Sequence, residues 1–322
     1  MAATCPLCSS KDTYLITNRV RFDKEADVNQ CRHCSLIFLD QNSFKLPDDF
    51  YENEYHQTYL THIEPSAFDP QSYYEKMQKT TKPWCDKIND MLTGREVVLD
   101  FGCSTGHLMT GITGKARKVF GHEVNRQEIG FCRNVLGLDV SGEALHARFR
   151  EEMFDFIVMI FVLEHIADPV GLLKYLKSFL KPNGRLVILV PNVQDALVQF
   201  YSIPPFVRFY YCVEHLFYYS PKTIADVFDM AGLKGEIEMI QEYPITNHLN
   251  WGYRQKPSDT LSSRRLIPDI PLYDENMTSR WEKFWATVDI SYKQFLREGG
   301  FGDRIWCVVG KKLNSGNVAL RF

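Results

Sequence analysis

From residue 96 onward the apolar positions come in short unbroken runs separated by longer periodic ones. Glu96–Phe101, Val119–Val124, Phe154–Val162 and Arg185–Val190 are apolar along nearly their whole length, with a shorter piece at Leu138–Val140. Runs without alternation predict strands buried on both faces. Between them, residues 126–136 and 169–180 carry helical spacing, and the second stops before K-P-N-G. Thr223–Ala231 reads as a helix stopped by Gly232. Gly235–Tyr243 and Arg304–Lys311 read as two late strands. The insert between them holds an amphipathic helix over about 278–298, with Trp281, Phe284, Trp285, Val288 and Tyr292 on one face. Strands alternating with helices predict an α/β fold with a mostly parallel sheet covered on both sides.

The first 93 residues follow another pattern. Tyr14–Thr17 and Leu36–Leu39 are strand-like pieces set among cysteine pairs. Pro47 and the following D-D-F-Y-E-N-E-Y open a mostly helical stretch, about 48–93, which Gly94 ends. Within it Tyr51, Tyr55 and Tyr59 share i, i+4 spacing, which suits either a plain helix face or a flap over a ligand.

Composition narrows the class. The 322 residues are 45% hydrophobic and 24% charged, which fits globular structure and excludes disorder. The longest apolar run, Phe156–Leu163, has 8 residues against the roughly 20 a bilayer needs, so no membrane span is expected. The N-terminus lacks a basic start and an apolar stretch, and the nine cysteines are an odd number, which together predict a reducing cytoplasmic setting. Four of the nine form two C-x-x-C knuckles, Cys5/Cys8 and Cys31/Cys34. Two such pairs present four thiolates to one ion, so a closed structural Zn2+ site is expected, the alternative being four free thiols. The net charge is −3, and residues 1–40 carry five basic residues against five acidic ones. Phosphate binding wants a cationic surplus, so a nucleic-acid partner is not expected.

The candidate chemistry starts at Asp100-x-Gly102-x-x-x-Gly106, after a predicted strand and before a helix. Glycine there lets the chain turn sharply and a ligand approach the backbone. The next strand ends in Glu123, an acid placed to accept from ribose hydroxyls. The ordered set V-L-D-F-G-C-S-T-G, the acid, F-D-F-I, L-E-H-I and L-K-P-N-G, over about 94–235, resembles the class I S-adenosylmethionine-dependent methyltransferases. The resemblance implies a Rossmann-like sheet of seven strands with the last antiparallel. It implies S-adenosylmethionine held by Asp100, Gly102, Gly106 and Glu123, and it extends cofactor binding to Phe161.

The zinc-module-first layout also resembles the sugar C-methyltransferases of deoxysugar biosynthesis, and this implies a small-molecule acceptor, a sugar or nucleotide-sugar; the alternatives are an RNA methyltransferase docking through its zinc module and a non-catalytic cofactor-binding module. In that group an E-H pair with a tyrosine two residues earlier serves proton transfer. Glu214 and His215 match; Cys212 stands where the tyrosine belongs, and Tyr211 is one residue further off. O- and N-methylation therefore stay open. His165, just past the fourth strand, is the second candidate base. Nine aromatics over 200–219 form either a packed lid or the wall of a water-excluding pocket. The expected organisation is a zinc module over 1–45, a helical lead-in over 46–93, a core over 94–245 and 301–314, and a substrate cover over 246–300. The oligomeric state is not predicted.

Overall fold

The structure is a computed structural model that describes residues 3–47, 49–255, 275–311 and 319–321. At the N-terminus β1 (Thr13–Val20) and β2 (Lys24–Cys31) form an antiparallel hairpin, and β3 (Ile37–Leu39) continues the sheet. The hairpin turn is Arg21-Phe22-Asp23, with Phe22 at φ 61° and Asp23 at φ 54°.

The lead-in is helical but not uniformly α. Phe50–Tyr59 is a π-helix, closed by an i→i+5 bond from Leu60 N to Tyr55 O. Helix α1 (Pro70–Asn89) follows, with Pro70 in its first turn and the Asp69 carboxylate accepting from Ser72 N. Its apolar stripe buries Tyr74, Trp84, Cys85 and Ile88.

The core then alternates as the pattern predicts: β4 (Val97–Phe101), α2 (His107–Ile112), β5 (Lys118–His122), α3 (Arg126–Asn134), β6 (Val140–Ser141), α4 (Leu145–Arg148), β7 (Phe154–Ile160), α5 (Pro169–Phe179) and β8 (Leu180–Pro191). After α6 (Ala196–Gln199) and α7 (Pro204–Tyr210) come β9 (Phe217–Tyr218), α8 (Pro221–Ala231) and β10 (Leu233–Ile240). The chain continues through α9 (Ile245–Arg254), α10 (Glu275–Glu298), β11 (Arg304–Lys311) and β12 (Ala319–Arg321).

The main sheet runs β10-β11-β8-β7-β4-β5-β6, with β12 appended beside β10. Within the seven strands only β11 is antiparallel, pairing with β8 and β10. Ile157, Val158, Met159 and Leu186 through Val190 are wholly buried. Removing each such side chain from water stabilises the fold by about 1.5–3 kcal/mol. The chain leaves β4 toward β5 and β6, then returns to β7 and β8 on the other side. That reversal opens a crevice at the carboxyl ends of β4 and β7, where open α/β sheets bind ligands.

Expectations change in detail. Helix α5 stops at Phe179, before K-P-N-G as expected, but the next strand starts earlier than Arg185: β8 begins at Leu180, its register against β7 shifting between Phe154 and Phe156. A three-residue strand, β12, extends the seven-stranded core. The expected cover over 246–300 contains α9 and α10, its residues 256–274 lying outside the described residues, as do 312–314 of the core. The N-terminal sheet is also not self-contained: β3 pairs antiparallel with β9, so its fourth strand comes from beyond residue 200.

Candidate functional site

At the end of β4 the backbone turns through Gly102 (φ +80°) and Gly106 (φ +74°). A Cβ on Gly102 would lie 2.5 Å from Val162 Cγ2, and one on Gly106 2.5 Å from Leu138 Cδ1. Both positions therefore need glycine for conformation and for space. Gly102 N and Cys103 N both donate to His122 O, stitching the loop to β5.

Asp100 and Glu123 close this end. Asp100 is buried, its Oδ2 has no hydrogen-bond partner, and burial with Glu123 nearby pushes its carboxyl up to about 8. Glu123 Oε2 accepts from Ser104 N (2.8 Å), and Oε1 accepts from Val124 N (2.7 Å) and Asn125 N (2.9 Å). A carboxylate has about four acceptor sites, so Oε2 keeps one free. An orphaned buried carboxyl, glycines too crowded for a side chain and an acid with spare acceptor capacity fit a ligand carrying an ammonium and a ribose.

Asp100, Gly102 and Glu123 open into a cavity of about 610 Å³, which Phe161, Glu164, His165, Glu214 and His215 line further along; Gly106 lies behind the loop, against Leu138 and Cys132, and is not part of the wall. Phe161 itself sits at φ 54°. The far end is organised around the Glu214 carbonyl. His165 Nδ1 lies 2.8 Å from it, and Tyr51 OH donates to it at 3.0 Å. A carbonyl only accepts, so His165 carries its proton on Nδ1 and turns an unprotonated Nε2 toward Glu164, 4.0 Å away. The His165 and His215 rings are 4.9 Å apart, edge to face. Burial lowers the proton affinity of both, and for His215 repulsion from His165, where that ring is protonated, and from the Arg21 cation lowers it further.

Glu164 is 1% exposed, neither carboxylate oxygen has a hydrogen-bond partner, and burial pushes its carboxyl up to about 8. The Glu214 carboxylate is instead tied by Oε1 to Arg21 Nη1 at 3.0 Å.

Tyr211 does not join the cavity wall. It packs edge-on to Tyr218 in the buried cluster around Val20 and Val28, because Arg21 N holds its carbonyl and fixes the segment with its ring turned inward. Tyr51 and Tyr210 line the cavity instead. Of the aromatics over 200–219, Phe206, Phe209 and Tyr210 form wall, Phe217, Tyr218 and Tyr219 are core, and Phe200 and Tyr201 face solvent.

Four cavity groups carry no local sequence signal: Arg21, Asp195, Asp303 and Arg304. Arg304, at the start of β11, pairs with Glu242 and lies over the rings of Trp84 and Phe161. Burial and the neighbouring Asp303 push Asp195 up to about 8.

The four N-terminal cysteines converge. Cys5 Sγ–Cys34 Sγ and Cys8 Sγ–Cys31 Sγ are both 3.6 Å, and all four sulfurs lie within 4.8 Å of one another. The other five cysteines, Cys85, Cys103, Cys132, Cys212 and Cys307, are buried and free.

The methyltransferase domain family matches residues 73–236, just over half of the chain. A tRNA U34 carboxymethyltransferase from Nautilia profundicola is 24% identical over 217 residues, covering 55% of this chain and 72% of that protein. A ubiquinone biosynthesis O-methyltransferase from Aeromonas salmonicida is 25% identical over 116 residues, covering 34% of this chain and 48% of that protein. The chain thus spans about half the length of this second relative. Among solved structures, an S-adenosylmethionine-dependent methyltransferase from Archaeoglobus fulgidus has a TM-score of 0.49 at 17% identity, covering 79% of this chain and all of that one.

Proposed function

The chain belongs to the methyltransferase domain family as an S-adenosylmethionine-dependent methyltransferase, and from that premise we propose that it methylates a small polar acceptor, a sugar or nucleotide-sugar, with His215 as general base. The observation that carries this reading is the single cavity joining Asp100 and Glu123 at one end to the two histidines at the other. Bound S-adenosylmethionine supplies an electrophilic methyl group on a sulfonium. Asp100 would hold its ammonium, the free acceptor site of Glu123 would take a ribose hydroxyl, Gly102 and Gly106 would shape the loop that receives it, and Phe161 would complete that end.

At the acceptor end His215 is neutral near pH 7, because burial disfavours its cation, and so can take a proton from the nucleophile. His165, its tautomer fixed by the Glu214 carbonyl, is the second candidate. Glu214 itself serves as the anchor of this arrangement. The rings of Phe206, Phe209 and Trp251 give the sugar an apolar face and exclude water.

The same reading gives the N-terminal cysteines a structural zinc. Tetrahedral Zn–S bonds of about 2.3 Å put sulfurs about 3.8 Å apart, close to the 3.6 Å pairs here. Five further free cysteines suit the reducing cytoplasm.

A second reading, an RNA acceptor, is favoured by the name of the tRNA-modifying relative. The five-against-five charge of the module speaks against it. The test is transfer of a labelled methyl from S-adenosylmethionine to a panel of nucleotide-sugars, free sugars and tRNA. Label on a sugar, lost in His215→Ala while cofactor affinity holds, supports the assignment. Label on tRNA alone moves it to RNA.

A further inference from the structure

Nothing in the sequence connects Arg21 with the site, yet three bonds tie it to the segment that carries Glu214 and His215. Arg21 N donates to Tyr211 O (2.7 Å), Nε donates to Phe209 O (2.7 Å), and Nη1 donates to Glu214 Oε1 (3.0 Å). The guanidinium also lies 4.3 Å from the Phe209 ring centroid. Its side chain is 12% exposed and that of Glu214 3%, and both residues line the cavity.

We propose that Arg21, carried on the hairpin turn of the cysteine module, is a positioning residue of the acceptor end, holding Glu214 and, through it, both histidines. The path is short. The Glu214 carbonyl that Arg21 helps to place is the one that fixes His165 and receives Tyr51 OH. The turn that delivers Arg21 puts two non-glycine residues, Phe22 and Asp23, at positive φ. Such backbone persists where its surroundings impose it; here the Phe22 ring packs edge-on against Tyr59 and His62, beside the three bonds from Arg21.

Arg21 also sets charge. His215 is faced by Cys212 and Glu214 of its own segment, by Tyr218 of β9, by Glu164 and His165 after β7, and by Arg21. Among these Arg21 is the fixed cation, and it pairs with the anion next to His215 in sequence. Without it the Glu214 carboxylate is uncompensated and favours the histidine cation, which cannot act as a base.

This inference rests on the reading of His215 as base, and an acceptor-free measurement separates the two. Histidine titration by NMR on the full chain, with His215 assigned from the His215→Ala spectrum, reads the charge state directly. Arg21→Gln should raise the His215 midpoint by about one unit, and Glu214→Gln should lower it. Arg21→Lys, which keeps the charge without the fork, should hold it near the starting value. An unmoved midpoint across Arg21→Gln and Glu214→Gln, in protein that still binds S-adenosylmethionine, overturns the role of Arg21. If Arg21→Gln does not fold, the opposite shift in Glu214→Gln and the constancy of Arg21→Lys decide. Undiminished methyl transfer by His215→Ala removes the base assignment and leaves a measured Arg21 shift standing.

Discussion

Burial and the nearby Glu123 push the Asp100 carboxyl up to about 8. An ammonium needs the carboxylate, so cofactor binding below that pH must expel the proton. Affinity for S-adenosylmethionine should therefore rise with pH and level off near 8. Calorimetry at pH 6.5 in two buffers of different ionisation heat should find about one proton released, and none in Asp100→Asn. Equal heats in both buffers for the wild-type protein would take Asp100 off the ammonium. Glu123 offers a parallel measurement. Glu123→Ala removes charged acceptors of backbone N–H groups and of ribose, and should weaken cofactor binding by about 1–3 kcal/mol; unchanged affinity by calorimetry would place it outside the site. These residues could be read in the sequence because strand, turn and acid lie close along the chain. Arg21 and Tyr51 could not, since their partners are far away in sequence, and a lone arginine or tyrosine has no pattern of its own.

At the scale of elements, the loop after β4 and the segment after β7 are fitted to each other. Gly102 is bare so that Val162 can sit against it, and Val162 leads into Leu163, Glu164 and His165. Gly102→Ala should cost about 1–3 kcal/mol in stability through the positive φ and the clash, with a matching loss of cofactor affinity. Gly94→Ala is the control: its φ is +92° with nothing within 4 Å of the added Cβ. Thermal unfolding of the two variants separates strain from crowding, and equal losses would mean that Val162 yields freely. Buried strands and helix ends were legible because apolar periodicity and the stop signals at Gly232 and K-P-N-G act locally. The π-helix over Phe50–Tyr59 was not, because i, i+4 tyrosines suit an α-helix equally well. What ties this segment down is tertiary: Tyr51 OH meets His165 Nδ1 and the Glu214 carbonyl, both far away in sequence.

For the whole molecule, the cysteine module brings Arg21 to the histidine end of the cavity and the central sheet builds the end with Asp100 and Glu123. Removing the proposed zinc from the cysteine cluster with a strong chelator should therefore abolish methyl transfer while leaving most of the affinity for S-adenosylmethionine. Calorimetry and label transfer on the same metal-depleted sample check this; parallel loss of both would mean that the module supports the entire fold. The cysteine spacing marked out the N-terminal segment that carries β1 to β3. Its merger with the rest of the chain could not be seen there, because pairing between β3 and β9 depends on two short segments that meet only in three dimensions.

That shared sheet bears on how the protein is made. Cys34 completes the cysteine cluster while the ribosome is still early in the chain, but β3 has no neighbour on its outer side until Phe217 and Tyr218 emerge. Through that interval a nascent chain exposes an open strand edge, the kind that invites pairing with the wrong partner. A metal gripped by four early cysteines would hold the small unit in shape while it waits.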